Sequence, residues 1–217
     1  MYPFELYLPT RIIFGKDSIE KLPEIMAPFK RILLTYGGGS IKKIGVYDRV
    51  KALLADKEIT ELAGIAPNPK VESAREGVRL VRENKCEAIL AVGGGSVLDL
   101  SKLISAAVAY DGDPWDLVED PAKIPADKSQ ILPLADVLTL SATGSEYDNS
   151  GVISNPDTDE KMPIFGPLNP FASILDPTYT FSVNAWHTAA GAADIMSHTF
   201  ESYLVAEGCT LTDGLCE

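Results

Sequence analysis

Asp194 and His198 stand four residues apart in an alanine-rich stretch near the end of the chain. At helical pitch, positions i and i+4 share a face about one turn apart. A carboxylate and an imidazole so placed can bind one divalent cation, and a cation in a cleft is a Lewis acid for a carbonyl or an alkoxide. The bland reading is a local Asp–His hydrogen bond, which suffices for most lone pairs of this kind. His187 lies on the same helix face but too far along it. Seven residues of helix rise about 10.5 Å, whereas metal–ligand bonds are about 2 Å. His187 therefore reads as a surface or packing residue. Fe(II) and Zn(II) both accept an Asp/His set, so the metal is not fixed by these residues.

A second kind of chemistry is written twice. The tetrapeptide Gly-Gly-Gly-Ser occurs at Gly37–Ser40 and again at Gly93–Ser96. Each copy follows a short apolar run and precedes a helical pattern. Glycines there let the backbone turn sharply and approach a ligand, and the following helix N-terminus offers unpaired N–H groups to a phosphate. The ordinary G-x-G-x-x-G fingerprint is absent, and two tight serine-capped turns would look the same. After the first copy comes Ile41-Lys42-Lys43, with no acid. An acid would bind ribose hydroxyls and repel a 2′-phosphate, whereas Ser40, Lys42 and Lys43 would accept one. NADP(H) is thus favoured over NAD(H), although both lysines could simply face solvent. On this reading, Gly39→Asp should weaken NADPH far more than NADH. A third loop, Thr139-Leu-Ser-Ala-Thr-Gly-Ser-Glu146, is rich in hydroxyls and suits a diphosphate or a ribose, but such loops are common.

Strand and helix patterns alternate around these loops. Strands are expected at Arg11–Phe14, Lys30–Tyr36, Ile59–Leu62, Glu87–Val92, within Leu132–Leu140, at Val152–Ser154 and at Ala172–Leu175. Helices are expected at Asp17–Met26, with Asp17 or Ser18 as N-cap, and at Val46–Leu54, Val71–Asn84 and Val97–Tyr110. A turn at Pro67–Pro69 precedes the third of these. Alternation of this kind predicts an α/β fold, a largely parallel sheet with helices on both faces. Past Pro177 the texture changes, and from about Val183 the chain reads as alanine-rich helix to its end. Glu217 falls just inside a further helical start, which reads as a chain cut within its second domain. The expected division is 1–180 for an α/β nucleotide-binding domain and 181–217 for the start of an all-helical, metal-binding one.

The 217 residues carry a net charge of -12. No basic face is visible for replacing counterions on nucleic acid. No apolar run approaches the roughly 20 residues of a membrane span. The opening Met1-Tyr2-Pro3-Phe4-Glu5 lacks the basic and apolar regions of a signal peptide. Cys86, Cys209 and Cys216 follow no zinc-site spacing, and reduced thiols in a cytoplasmic protein are the expectation.

In combination these motifs resemble a known family. GGGSVLDLSK (Gly93–Lys102), TLSATGSE (Thr139–Glu146), ILDP (Ile174–Pro177) and DIMSH (Asp194–His198) occur in this order in the iron-containing alcohol dehydrogenases. PTRIIFG and TYGGGSIKKIG look like its NADPH-dependent butanol dehydrogenase and aldehyde reductase branch. The resemblance implies a Rossmann-like N-terminal domain, an all-α C-terminal domain and an active site between them. It puts Gly37, Gly38, Gly39 and Ser40 at the adenosine end of the cofactor. It puts Gly94, Gly95, Ser96 and Asp99 around the diphosphate, and Thr139 and Thr143 at the diphosphate and nicotinamide side. Lys161 would reach the nicotinamide ribose, and Tyr179 would lie near the nicotinamide. Asp194 and His198 match the first two ligands of a metal bound by one Asp and three His. The other two His of that set are not in this chain.

The implied reaction is hydride transfer between NADP(H) and a primary alcohol or aldehyde such as butanol or butanal. A homodimer is expected of the full-length protein. Two alternatives stay open, a catalytically incomplete nucleotide-binding fragment and a glycerol dehydrogenase-like polyol oxidoreductase.

Overall fold

The computed structural model describes residues 7–205 and 210–217. The opening Met1–Glu5 and Cys209 lie outside the described residues.

Six strands form one parallel sheet: β1 (Arg11–Phe14), β2 (Arg31–Tyr36), β3 (Glu58–Leu62), β4 (Ala88–Gly93), β5 (Leu134–Leu138) and β8 (Ala172–Leu175). Their spatial order is β1-β8-β5-β4-β2-β3. Every residue of β4 and β5 is buried, which explains why these strands read as runs that do not alternate, apolar throughout in β4 and interrupted only by Asp136 in β5. Side chains alternate between two core layers. Leu33, Ile89, Leu98, Leu103 and Trp115 fill one layer, and Ile19, Leu22, Ile32, Leu34, Val50 and Leu90 the other. The first is roofed by α4 (Val71–Asn84), α5 (Gly95–Ala107) and α6 (Trp115–Glu119). The second is roofed by α1 (Leu22–Ile25), α2 (Ser40–Lys43) and α3 (Val46–Leu53). Each fully buried leucine adds about 1.5–3 kcal/mol, so the two layers hold the loops at the strand ends in fixed register.

Three expectations are corrected. The segment Asp17–Met26 is not one helix. Ser18–Lys21 is a 3-10 turn and only Leu22–Ile25 is α-helical. Neither Asp17 nor Ser18 caps it by its side chain; Asp17 has φ 62° and donates its N–H to Asp176 Oδ2 at 2.7 Å. After the first glycine turn the helix is broken by Gly45 at φ 78°, which leaves α2 a single turn. The strand around Val152 does not join the parallel sheet. β6 (Ser150–Asn155) pairs antiparallel with β7 (Glu160–Phe165) in a separate hairpin that packs on α5. The turn between them carries Asp159 at φ 56°, a conformation that aspartate tolerates better than most residues.

Beyond β8 come α7 (Ala185–Tyr203) and α8 (Thr210–Cys216). Asn184 caps α7, its Oδ1 accepting the N–H of His187 at 2.9 Å. Gly191 is the one buried residue of α7. A Cβ there would sit 2.9 Å from the Ser141 carbonyl oxygen, so glycine is what lets the helix lie against the Thr139–Glu146 loop. No helix among the described residues is long and apolar enough to cross a membrane.

Candidate active site

The carboxyl ends of β2, β4 and β5 deliver the two glycine turns and the Thr139–Glu146 loop to one edge of the sheet. That edge is the usual ligand crevice of an open α/β fold. Two clefts open there. The first, of about 340 Å³, is lined by Gly37, Ser40, Gly93, Gly94, Thr139, Tyr179 and His187, among others. Among the described residues no carboxylate lines it. The second, of about 420 Å³, is lined by Ser96, Asp99, Thr143, Lys161, Asp194 and His198 together with Asn68 and Asp148. The glycine turn at Gly93–Ser96 lies between them and contributes to both.

That turn opens α5, whose first N–H groups have no partner within the helix. Its glycines are required by space. A Cβ on Gly95 would stand 2.6 Å from Thr143 Oγ1, and one on Gly94 3.1 Å from Leu140 Cβ. Asp99, one turn into α5, is 9% exposed and has both oxygens engaged. Oδ1 accepts from Ser145 Oγ at 2.7 Å and Oδ2 from the Val152 N–H at 3.0 Å. Burial pushes its carboxyl up, while these two bonds and Lys102 pull the other way. Asp99 thus ties α5 to the hydroxyl loop and to the hairpin, and it borders the cleft rather than reaching freely into it.

Lys102, one turn further on, is fully buried. Its Nζ donates to Asp148 Oδ1 at 2.6 Å, to the Asp148 carbonyl at 3.1 Å and to the Ser150 carbonyl at 2.6 Å. A lysine ammonium has three hydrogens, so all are used. Lys161 reaches the second cleft from β7, its Nζ donating to Asn68 Oδ1 at 2.8 Å. Tyr179 lines the first cleft, and burial, with Asp176 assisting, pushes its phenol up to about 12. It stays a neutral donor at ordinary pH.

On α7, His198 Nε2 and Asp194 Oδ1 face one another at 3.9 Å, both about half exposed. With metal–ligand bonds of about 2 Å, a small inward shift of either side chain lets both hold one cation. Carboxylate and imidazole are suitable donors for Fe(II) or Zn(II). No group of three or more His, Cys, Asp or Glu gathers there among the described residues.

Of the residues expected from the sequence, Gly37, Ser40, Gly94, Thr139 and Tyr179 line the first cleft, and Ser96, Asp99, Thr143, Lys161, Asp194 and His198 the second. Gly38, Gly39 and Gly95 line neither. Gly39 has φ 101° and is a backbone requirement of the turn. Any side chain there is strained whatever ligand is present, so Gly39→Asp does not isolate a charge effect. Lys42 sits over the rings of Tyr36 and Tyr47, 5.1 and 4.6 Å from their centroids. The hydroxyls of both tyrosines donate to the Glu61 carboxylate. Lys42 is therefore drawn away from the cleft, leaving Ser40 as the polar side chain of this turn that lines it. Sequence reasoning missed Asn68, His187 as a wall of the first cleft, and the buried anchor Lys102. The Pro-Asn-Pro turn and a lysine inside an apolar helix were the available signals.

The iron-containing alcohol dehydrogenase family profile matches residues 9–177, and the chain belongs to that family. It is 49% identical across its whole length to a protein called NADH-dependent butanol dehydrogenase A from Clostridium acetobutylicum, of which it spans 56%. Over 94% of its length it is 42% identical to the NADPH-dependent aldehyde reductase YqhD of Escherichia coli, spanning 53% of that protein. The crystal structure of a protein called NADH-dependent butanol dehydrogenase A from Thermotoga maritima superposes on all of this chain with a TM-score of 0.94 at 38% identity. The chain covers 55% of that structure. It spans about half the length of the relatives it matches, and their names divide between NADH and NADPH.

Proposed function

We propose that this chain is the nucleotide-binding part of a metal-dependent oxidoreductase that transfers hydride between NADP(H) and a primary alcohol or aldehyde such as butanol or butanal. The observation that carries this is the meeting of Asp194 and His198 with Ser96, Asp99, Thr143 and Lys161 around one cleft. In this reading residues 1–180 bind the nucleotide and 181–217 begin the helical, metal-binding part. A cytoplasmic homodimer is part of the same proposal.

The cofactor's adenosine end would occupy the cleft of Gly37 and Ser40, its diphosphate the turn at the start of α5, and its nicotinamide side the cleft of Thr143 and Lys161. NADP(H) is favoured because, among the described residues, no carboxylate lines the first cleft to repel a 2′-phosphate. Lys161, fixed by Asn68, supplies a positive donor to a ribose hydroxyl. Asp194 and His198 would hold a divalent cation, which when bound supplies Lewis-acid polarisation of the substrate oxygen. When bound there, beside Thr143 and Lys161, the nicotinamide would supply the hydride for an aldehyde carbonyl carbon, and solvent would supply the proton that completes the alcohol. The protein's share is orientation and charge.

Calorimetric titration tests this reading. NADPH is expected to bind with micromolar affinity, NADH more weakly, and Fe(II) or Zn(II) to change either little, because no group of three metal donors gathers here among the described residues. A cooperatively melting sample that binds neither nucleotide would refute it. In the protein carrying its complete metal set, turnover of butanal in preference to glycerol separates this reading from a polyol oxidoreductase.

A further inference from the structure

Asp136 lies at the centre of β5 with 0% exposure, and the chemistry above makes no use of it. It stands between Leu134 and Leu138 on the face covered by α5. Its register partner on β8 is Ser173 and on β4 is Ala91. Ser173 Oγ is 2.5 Å from Asp136 Oδ2 and also 2.5 Å from the main-chain carbonyl oxygen of Glu146.

One hydroxyl carries one proton. The Glu146 carbonyl can only accept, so that proton is committed to it. The contact with Asp136 then needs a proton of its own, because two oxygens at 2.5 Å with no hydrogen between them repel. Only the carboxyl group can supply it. The other oxygen, Oδ1, is buried without a hydrogen-bond partner among the described residues. An ionised carboxylate would leave charge on that bare oxygen, whereas a neutral carboxyl leaves only a carbonyl, a far smaller desolvation cost. The charged groups facing Asp136 are Lys102 from α5 and Glu146 from the loop. The hydrogens of Lys102 are all spent on Asp148 and Ser150, and Glu146 repels a second negative charge.

We propose that Asp136 is a positioning residue: it keeps its proton at neutral pH and donates it to Ser173, which donates to the Glu146 carbonyl. This two-bond relay roots the Thr139–Glu146 loop, and Thr143 with it, in the middle of the sheet. Its value for cofactor binding rests on the function proposed above; the proton itself does not. Burial acts the same way, pushing the carboxyl well above its ordinary range, with Glu146 adding to the effect.

The sign of the pH dependence follows. A carboxyl raised in the fold has its full stability below the unfolded value of about 3.9. Stability is lost as pH climbs towards the raised value and is level beyond it. Asp136→Asn removes that slope while keeping a donor for Ser173.

The test has three arms. In the infrared difference spectrum of wild type minus Asp136→Asn at neutral pH, a protonated-carboxyl carbonyl band should appear above the amide band and shift in D2O. Amide exchange at Thr143–Glu146 and NADPH affinity should be nearly unchanged in Asp136→Asn. Both should worsen about fivefold in Asp136→Leu and in Ser173→Ala, the worth of one hydrogen bond. A missing carboxyl band, or Asp136→Asn as damaging as Asp136→Leu, would overturn the proposal. If Asp136→Leu does not fold, Ser173→Ala carries the comparison. Should wild type bind no NADPH, the function proposed above falls, and the infrared and exchange arms still decide the relay.

Discussion

Residues 37–40 and 93–96 are the same four amino acids at the ends of adjacent strands, yet their glycines answer different demands. Around Gly38 and Gly39 there is open space, and Gly39 is needed for its φ of 101°. At the second turn the backbone is unstrained, and Gly93, Gly94 and Gly95 are hemmed in by Val97, Leu140 and Thr143. The first turn rests on a one-turn helix of four residues, the second on a buried helix of thirteen. One is a hinge-shaped loop at the rim and the other a packed junction. Identical sequence is therefore no guide to which change a turn will tolerate.

The comparison can be broken by substitution. Gly95→Ala should have the largest effect, since a methyl 2.6 Å from Thr143 Oγ1 must displace the loop. Overpacking of this kind costs about 1–3 kcal/mol, to be read as a lower melting temperature with NADPH affinity falling by about tenfold, equivalent to 1.4 kcal/mol. A Gly95→Ala protein that melts and binds like wild type would show that the junction is not packed. Gly39→Ala should cost about 1–2 kcal/mol from the left-handed backbone alone, measurable by urea denaturation, with both nucleotides affected alike. Ser40→Asp tests charge without that strain. NADPH should weaken by about tenfold and NADH change little, and equal loss would place the 2′-phosphate elsewhere. The smallest effect belongs to Gly38→Ala, expected within about 0.5 kcal/mol of wild type.

The parallel sheet was legible because strands covered on both faces are largely apolar, as in Ala88–Val92 and, but for Asp136, in Leu134–Leu138. α4 was read to the residue, its start marked by Pro69 and its apolar stripe by Val71, Ala74, Val78 and Val81. The strand at Val152–Ser154 was read and lies within β6, but β7 and their antiparallel pairing escaped because Lys161 and Pro163 break the apolar pattern and β7 is largely exposed. Pro23 splits the segment Asp17–Met26 into a 3-10 turn and a short α-helix, whereas the helix read at Val46–Leu54 is present as α3. Within the site, the spacing of Asp194 and His198 gave their shared face, but their meeting with Lys161 depends on the hairpin and could not be read. Lys102 and Asp136 look like solvent charges in a list of residue types. Only the partners around them, three acceptors for one and a single hydroxyl for the other, give them a role.

Gly191 sets a distance. It stands three residues before Asp194 on a stiff rod, so whatever separates α7 from the Ser141 carbonyl also separates Asp194 and His198 from the Thr139–Glu146 loop. A methyl group at that point would act as a shim, moving Asp194 and His198 together without altering either. The spacing between the Asp194–His198 pair and the Thr139–Glu146 loop is thus gauged by a residue that has no side chain.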